Sequence, residues 1–208
     1  MTEVKAWRAR MVSSYYAALR RAIELTPIVN YNPNTISVWA TVAGLFAALF
    51  FFLGHSFTAG MFLLISGTLD TMDGTVARMK DKATRFGAIV DSSLDRYVEF
   101  AIFLGILNYY REAPTYYWAF AALVGSIMVS YARARAQSLG VQEIVGLMQR
   151  AERLILLSLG AIINAIVHLV NGSDAVLHWT IVIIAVGANI TALQRIFIVK
   201  RVEEREGS

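Results

Sequence analysis

The chain has 208 residues, 57% of them apolar, with a mean hydropathy of +0.54 and a net charge of +4. That composition excludes an ordinary soluble domain, and the absence of cysteine excludes disulfides, thiolate metal sites and a cysteine nucleophile. The basic balance is read as retention at one membrane face, with no nucleic acid as partner, because no basic run carries the interleaved aromatics of a single-strand binder.

The first predicted element covers residues 3–25. It sets Trp7, Met11, Tyr15, Ala18 and Ala22 at helical spacing among Arg8, Arg10, Arg20 and Arg21, the pattern of an amphipathic helix lying on the membrane. No short apolar core with a small-residue cleavage site precedes it, so this stretch is read as retained. Asn32 followed by Pro33 then marks a helix start. Six stretches are long and apolar enough to span a bilayer: 34–54, 58–79, 86–110, 115–137, 151–170 and 178–199. The expected fold is therefore an all-α integral membrane protein, six transmembrane helices plus an N-terminal interfacial helix. No linker, low-complexity tract or repeat divides residues 1–208, which are read as a single domain.

Six spans place the N-terminus, the second and fourth turns and the C-terminus on one side. That side collects every lysine and arginine except Arg111, which predicts that it is cytoplasmic. His55, His168 and His178 fall at the other side and read as interfacial. Tyr109, Tyr110, Tyr116, Tyr117, Trp118 and Trp179 read as an outer aromatic belt.

Near the cytoplasmic ends of the second and third spans stand Asp70, Asp73, Asp91 and Asp95. A charged side chain within a span costs roughly 2.5–3.5 kcal/mol on insertion scales, so each marks a functional position. Asp70 and Asp73 share a helical face, which Gly74 and Ala77 continue; Asp91 and Asp95 share another, with Gly87 one turn earlier. A tight basic turn joins the two spans, so they are expected as antiparallel neighbours with all four carboxylates meeting. Four like charges repel unless cations sit among the oxygens. Carboxylate-only ligation selects a hard ion, Mg²⁺ or Mn²⁺, and four carboxylates suffice for two of them, an arrangement suited to phosphoryl chemistry. The small residues admit a ligand or a neighbouring backbone, and Arg78 adds a positive charge for a phosphate.

The segment Asp70-x2-Asp73-Gly74-x2-Ala77-Arg78-x8-Gly87-x3-Asp91-x3-Asp95 matches, at all eight fixed positions of a 26-residue window, the signature of the CDP-alcohol phosphotransferase family. The six-span layout with its N-terminal helix resembles that family as well. The resemblance implies that a CDP-linked lipid (CDP-diacylglycerol or CDP-archaeol) donates its phosphatidyl or archaetidyl group to an alcohol hydroxyl, with release of CMP. It implies that Asp70, Asp73 and Asp91 ligate metal, and that Asp95 is the general base and also touches the second metal. It places Gly74, Ala77, Arg78 and Gly87, together with Asn34 and Thr35, at the CDP site beside Asp70 and Asp73, and it implies a homodimer in the cell membrane.

A second basic set stands at the same level: Arg133 and Arg135 end the fourth span, Arg150 and Arg153 begin the fifth, and Arg195 lies near the end of the sixth. Converging guanidiniums suit an anionic acceptor. The pattern resembles phosphatidylinositol-phosphate synthases, which use inositol phosphate. Those commonly carry lysine in place of Arg133 and proline in place of Ala151, departures that keep glycerol 3-phosphate and serine open as acceptors. Glu152 is expected to position Arg150 or Arg153. A cation or proton transporter is the rival reading of intramembrane acids. Transporter sites, however, lie near the midplane between repeats, whereas these acids lie toward one face.

Overall fold

The computed structural model describes residues 21, 31–80, 84–141 and 146–206. The predicted interfacial helix, apart from Arg21, lies outside them. The described residues form six helices and no strand: α1 (Pro33–Phe52), α2 (Ser56–Met79), α3 (Arg85–Tyr109), α4 (Thr115–Ser138), α5 (Arg150–Asn171) and α6 (Ala175–Glu206). Each has 20 residues or more. At 1.5 Å per residue, 20 residues reach about 30 Å, the thickness of a bilayer's hydrocarbon core. Three of them, α1, α5 and α6, are long and apolar enough to cross a membrane. The others are less apolar because they carry the acids (α2, α3) or arginines and a cluster of tyrosine and tryptophan (α4).

Local chemistry sets the helix ends close to the predicted positions. Pro33 occupies the first turn of α1, where its missing N–H leaves no bond unmade. The Asn32 carbonyl, not its side chain, accepts from the Thr35 and Ile36 amides at 2.9 and 3.3 Å. Thr84 caps α3 by accepting from the Gly87 amide at 2.9 Å. α5 stops at Gly172, whose φ of +69° suits glycine.

The helices close into a ring in the spatial order α1, α2, α5, α6, α4, α3 and back to α1. This corrects one expectation. α2 and α3 are consecutive but make little direct packing among the described residues; each packs on α1, which stands between them. The two acidic helices therefore face each other across an interior gap.

Small residues allow the close approaches. A Cβ on Gly60 of α2 would lie 2.7 Å from the Ser158 carbonyl of α5, so that contact requires glycine. The Ser66 hydroxyl donates to the Ala40 carbonyl at 2.8 Å, tying α2 to α1, and the Asn189 amide donates to the Ala121 carbonyl at 3.0 Å, tying α6 to α4. In lipid such bonds contribute about 0.6 kcal/mol each on average. Leu63, Ile102, Ile106, Leu157, Leu177, Ile181 and Ile184 fill the ring away from the acids. Ile155, Leu159, Ile163 and Ile166 form an exposed apolar stripe along α5, as lipid contact requires.

At that far end Asp174 accepts from Tyr109 Oη at 2.7 Å and Asn164 Nδ2 at 2.9 Å, with His168 Nδ1 at 3.0 Å. His178 pairs with Thr115. The histidines are thus remote from Asp70, Asp73, Asp91 and Asp95, as expected. Tyr116, Tyr117, Trp118 and Trp179 are exposed as a belt would be, but Tyr110 is buried. It follows the end of α3 on the inner face, where its ring meets Tyr109 edge-on.

Candidate active site

One carboxylate oxygen from each of Asp70, Asp91 and Asp95 lies within 4.8 Å of the other two. Asp70 comes from the second half of α2, and Asp91 and Asp95 from the first half of α3. Asp73 lines the same cavity but stands apart from this trio. It is 5% exposed, lies beside Ser37 of α1, and its Oδ2 has no hydrogen-bond partner among the described residues. A buried carboxylate oxygen without a donor is costly, and a cation is the partner that an acceptor-only group can take.

Ser37, Ala40 and Thr41 of α1, Ser66 of α2, and Leu94 and Val98 of α3 complete the cavity with Arg150 of α5. It measures about 10 Å³ for the centre of a water-sized sphere, room for one water or one bare cation. Arg150 closes it: Nη1 binds Asp70 Oδ2 at 2.9 Å and Nη2 binds Asp95 Oδ1 at 2.6 Å. One guanidinium thus bridges two of the acids and offsets their repulsion. Sequence reasoning grouped Arg150 with the acceptor arginines, whereas its fork reaches into the acidic cluster.

The cavity's residues meet the requirements of a divalent cation: three converging oxygens, a fourth acid with an orphaned oxygen, and hard ligands only. Four aspartates and Glu99, counted as ionised, face Arg96, Arg150 and Arg153, which leaves the set two charges negative.

Gly74 and Ala77 are half-buried on the face of Asp70, and Arg78 is exposed. Among the described residues, a Cβ at Gly74 would meet only Arg78 Nη2, at 4.0 Å. Protein packing therefore does not demand glycine there, and the space beside it is open to a ligand. Gly87 differs, because a Cβ would press on Thr84 Oγ1 at 3.0 Å, so the helix cap already accounts for it. Asn34 and Thr35 are exposed in the first turn of α1, outside the cavity, and Asn34 is one turn before Ser37.

The remaining arginines divide. Arg133 and Arg153 both lie within electrostatic range of Arg195. Arg153 and Arg195 are buried, at 2% and 4% exposed. Arg195 Nη1 donates to the Val129 carbonyl at 2.6 Å. Arg153 gives Nε and Nη2 to Glu99 Oε1 at 3.1 and 2.6 Å, which makes Glu99 of α3 an acidic partner of this arginine. Exposed Arg135 lines a separate groove of about 360 Å³ between α4 and α6, with Arg195 and Lys200.

Sequence reasoning missed Glu99, Arg96, Ser37 and Thr41 as parts of this region. A signal existed for Glu99, which continues the Asp91–Asp95 face one further turn. Ser37 and Thr41 are small hydroxyl residues in an apolar helix and gave none.

A ring of membrane helices that gathers these carboxylates on two segments carrying the full signature defines the class. The chain belongs to the CDP-alcohol phosphatidyltransferase family, whose model matches residues 30–193. It is accordingly an integral-membrane transferase of phospholipid synthesis. Among curated relatives it is 31% identical over 201 residues to the phosphatidylinositol phosphate synthase of Mycobacteroides abscessus, covering 92% of this chain and 84% of that one. It is 32% identical over 176 residues to the archaetidylinositol phosphate synthase of Pyrococcus horikoshii, covering 82% and 84%. Crystal structures of the Mycobacterium tuberculosis phosphatidylinositol phosphate synthase share the fold. The one with CDP-DAG bound has a TM-score of 0.72 at 29% identity, covering 88% of this chain and 92% of that one. The complex with manganese and citrate has a TM-score of 0.73 at 28% identity, covering 88% of each.

Proposed function

We propose that this enzyme transfers the phosphatidyl group of CDP-diacylglycerol to a hydroxyl of inositol phosphate, releasing CMP, at a divalent-metal site on the cytoplasmic side of the membrane. The observation that carries the reading is the convergence of Asp70, Asp91 and Asp95 oxygens within 4.8 Å, on the two helices that bear the signature. Inositol phosphate is favoured because relatives spanning most of the chain are named for inositol phosphate lipids, and because Arg133, Arg153 and Arg195 cluster at the same end of the ring. Six spans with the start of α1 and the end of α6 on the side of the acids fit the fold, and that is also the basic side of the sequence.

Asp70, Asp73, Asp91 and Asp95 would hold the metal, Mg²⁺ or Mn²⁺. Bound there, the metal would neutralise the diphosphate and the departing phosphate oxygen. The protein's own residues supply the rest. Gly74 and Ala77 leave space for the CDP group, and Arg78 contributes a charge-assisted bond to phosphate. Asp95 accepts the acceptor hydroxyl's proton as negative charge develops on that oxygen in the transition state. Arg150 and a cation compete for oxygens of Asp70 and Asp95, so Arg150 holds the acids together until the site fills.

The test is CMP release from CDP-diacylglycerol by purified enzyme, with inositol phosphate, glycerol 3-phosphate, serine or free inositol, in Mg²⁺, Mn²⁺ or EDTA. Turnover is expected with inositol phosphate in either metal and none in EDTA. Turnover with free inositol or serine in its place would refute the anionic acceptor, and undiminished activity in EDTA would refute the metal site.

A further inference from the structure

Glu99 of α3 and Arg153 of α5 form the most deeply buried ion pair among the described residues, with side chains 5% and 3% exposed. The two helices lie on opposite sides of the ring and make little direct packing among the described residues. The pair therefore crosses the interior. A second cross-link, Asp95 with Arg150 at 2.6 Å, joins the same two helices one turn nearer the carboxylate end. The upper link lies within the acidic cavity, where Arg150 shares its acids with any bound cation. The lower link has no such competitor.

Glu99 is ion-paired with two arginines. Oε1 takes both Nε and Nη2 of Arg153, and Oε2 faces Arg96 Nη1 at 3.3 Å. Arg96 in turn lies 3.7 Å from Asp95 Oδ2 and hydrogen-bonds Ser130 of α4. The third nitrogen of Arg153, Nη1, reaches the Met148 carbonyl at 3.4 Å. Arg153 is thus fixed in place and orientation from two directions, and the same carboxylate connects it to the neighbour of Asp95. Stability alone does not explain a buried pair of this kind, because an apolar pair of similar volume often serves a fold as well. Its place between the acid cluster and the arginine set does explain it.

We propose that Glu99 is a positioning residue for the acceptor: it holds Arg153 in the geometry that receives the acceptor's anionic group and keeps that geometry tied to Asp95 through Arg96. This rests on the acceptor reading above. Removing a supporting contact of this kind typically costs about 10- to 100-fold in function. Glu99→Gln is expected to raise KM for inositol phosphate by about that factor, with KM for CDP-diacylglycerol unchanged. Glu99→Asp, which keeps the charge, is expected to recover part of the loss. A merely structural role would instead lower thermal stability and the active fraction, leaving both Michaelis constants at wild-type values.

The experiment measures both Michaelis constants for wild type, Glu99→Gln and Glu99→Asp by CMP release in detergent. A selective rise for the acceptor, partly reversed in Glu99→Asp, supports the proposal. An unchanged acceptor KM in Glu99→Gln, or an equal rise for both substrates, overturns it while wild-type turnover leaves the proposed reaction standing. If Glu99→Gln does not fold, Glu99→Asp decides on the same criterion, since a shortened carboxylate still shifts Arg153. Wild-type enzyme that turns over no anionic alcohol would refute the acceptor class and this inference together.

Discussion

Replacing Arg150 with glutamine tests how the acidic cluster is held. The substitution removes two charge-assisted bonds, at 2.9 Å to Asp70 and 2.6 Å to Asp95, and leaves the acids facing one another. Breaking a fully buried pair costs about 3–5 kcal/mol. Here the side chains of Arg150, Asp70 and Asp95 are 21%, 27% and 17% exposed, so solvent screening reduces the expected loss to about 2–3 kcal/mol. That loss belongs to the metal-free protein. A cation at about 100 times its dissociation constant returns about 2.7 kcal/mol, and in the variant it binds without displacing a guanidinium. Thermal unfolding in detergent micelles should therefore show Arg150→Gln well below wild type in EDTA and close to it in MnCl₂. Wild type should gain less from the metal. A deficit of equal size in EDTA and MnCl₂ would refute both the competition and the metal site.

Asp91→Asn should lower CMP release by more than about 100-fold, beyond what losing a mere supporting contact of a metal site costs. It should still elute as a monodisperse species, because Asp91 is only half-buried at the rim of the gap. Gly74→Ala separates packing from ligand space. With no atom of the described residues nearer than 4.0 Å to the new methyl, helix propensity should raise stability by up to about 1 kcal/mol, while KM for the CDP-lipid rises; a rise in stability with unaltered KM would show that no ligand approaches there. Asp174→Ala removes the contacts to Tyr109, Asn164 and His168 at the far end. It should cost about 1–3 kcal/mol in thermal unfolding with kcat unchanged, and a loss of turnover would contradict the remoteness of that cluster.

Much of this protein was legible along the chain because its chemistry is local to single helices. Asp70, Asp73, Gly74 and Ala77 share a face by helical geometry alone, as do Gly87, Asp91 and Asp95, and a charge within an apolar span declares itself. The start of α1 at Pro33 follows from proline's own stereochemistry. Everything in the signature lies within one helix–turn–helix segment, so its meaning survives without knowledge of the other four helices.

What the tertiary structure decided is which helices stand between and across from one another. Sequence order suggested that α2 and α3 pack together; the ring sets α1 between them and so opens the gap that the acids line. The partner of Arg153 is 54 positions away at Glu99, and that of Arg150 is 80 positions away at Asp70. Helical periodicity specifies the face a side chain occupies but not the helix it will meet. Ring closure settles that choice through fits such as Gly60 against Ser158, and the same closure turned Tyr110 inward and sent Arg150 to the acids.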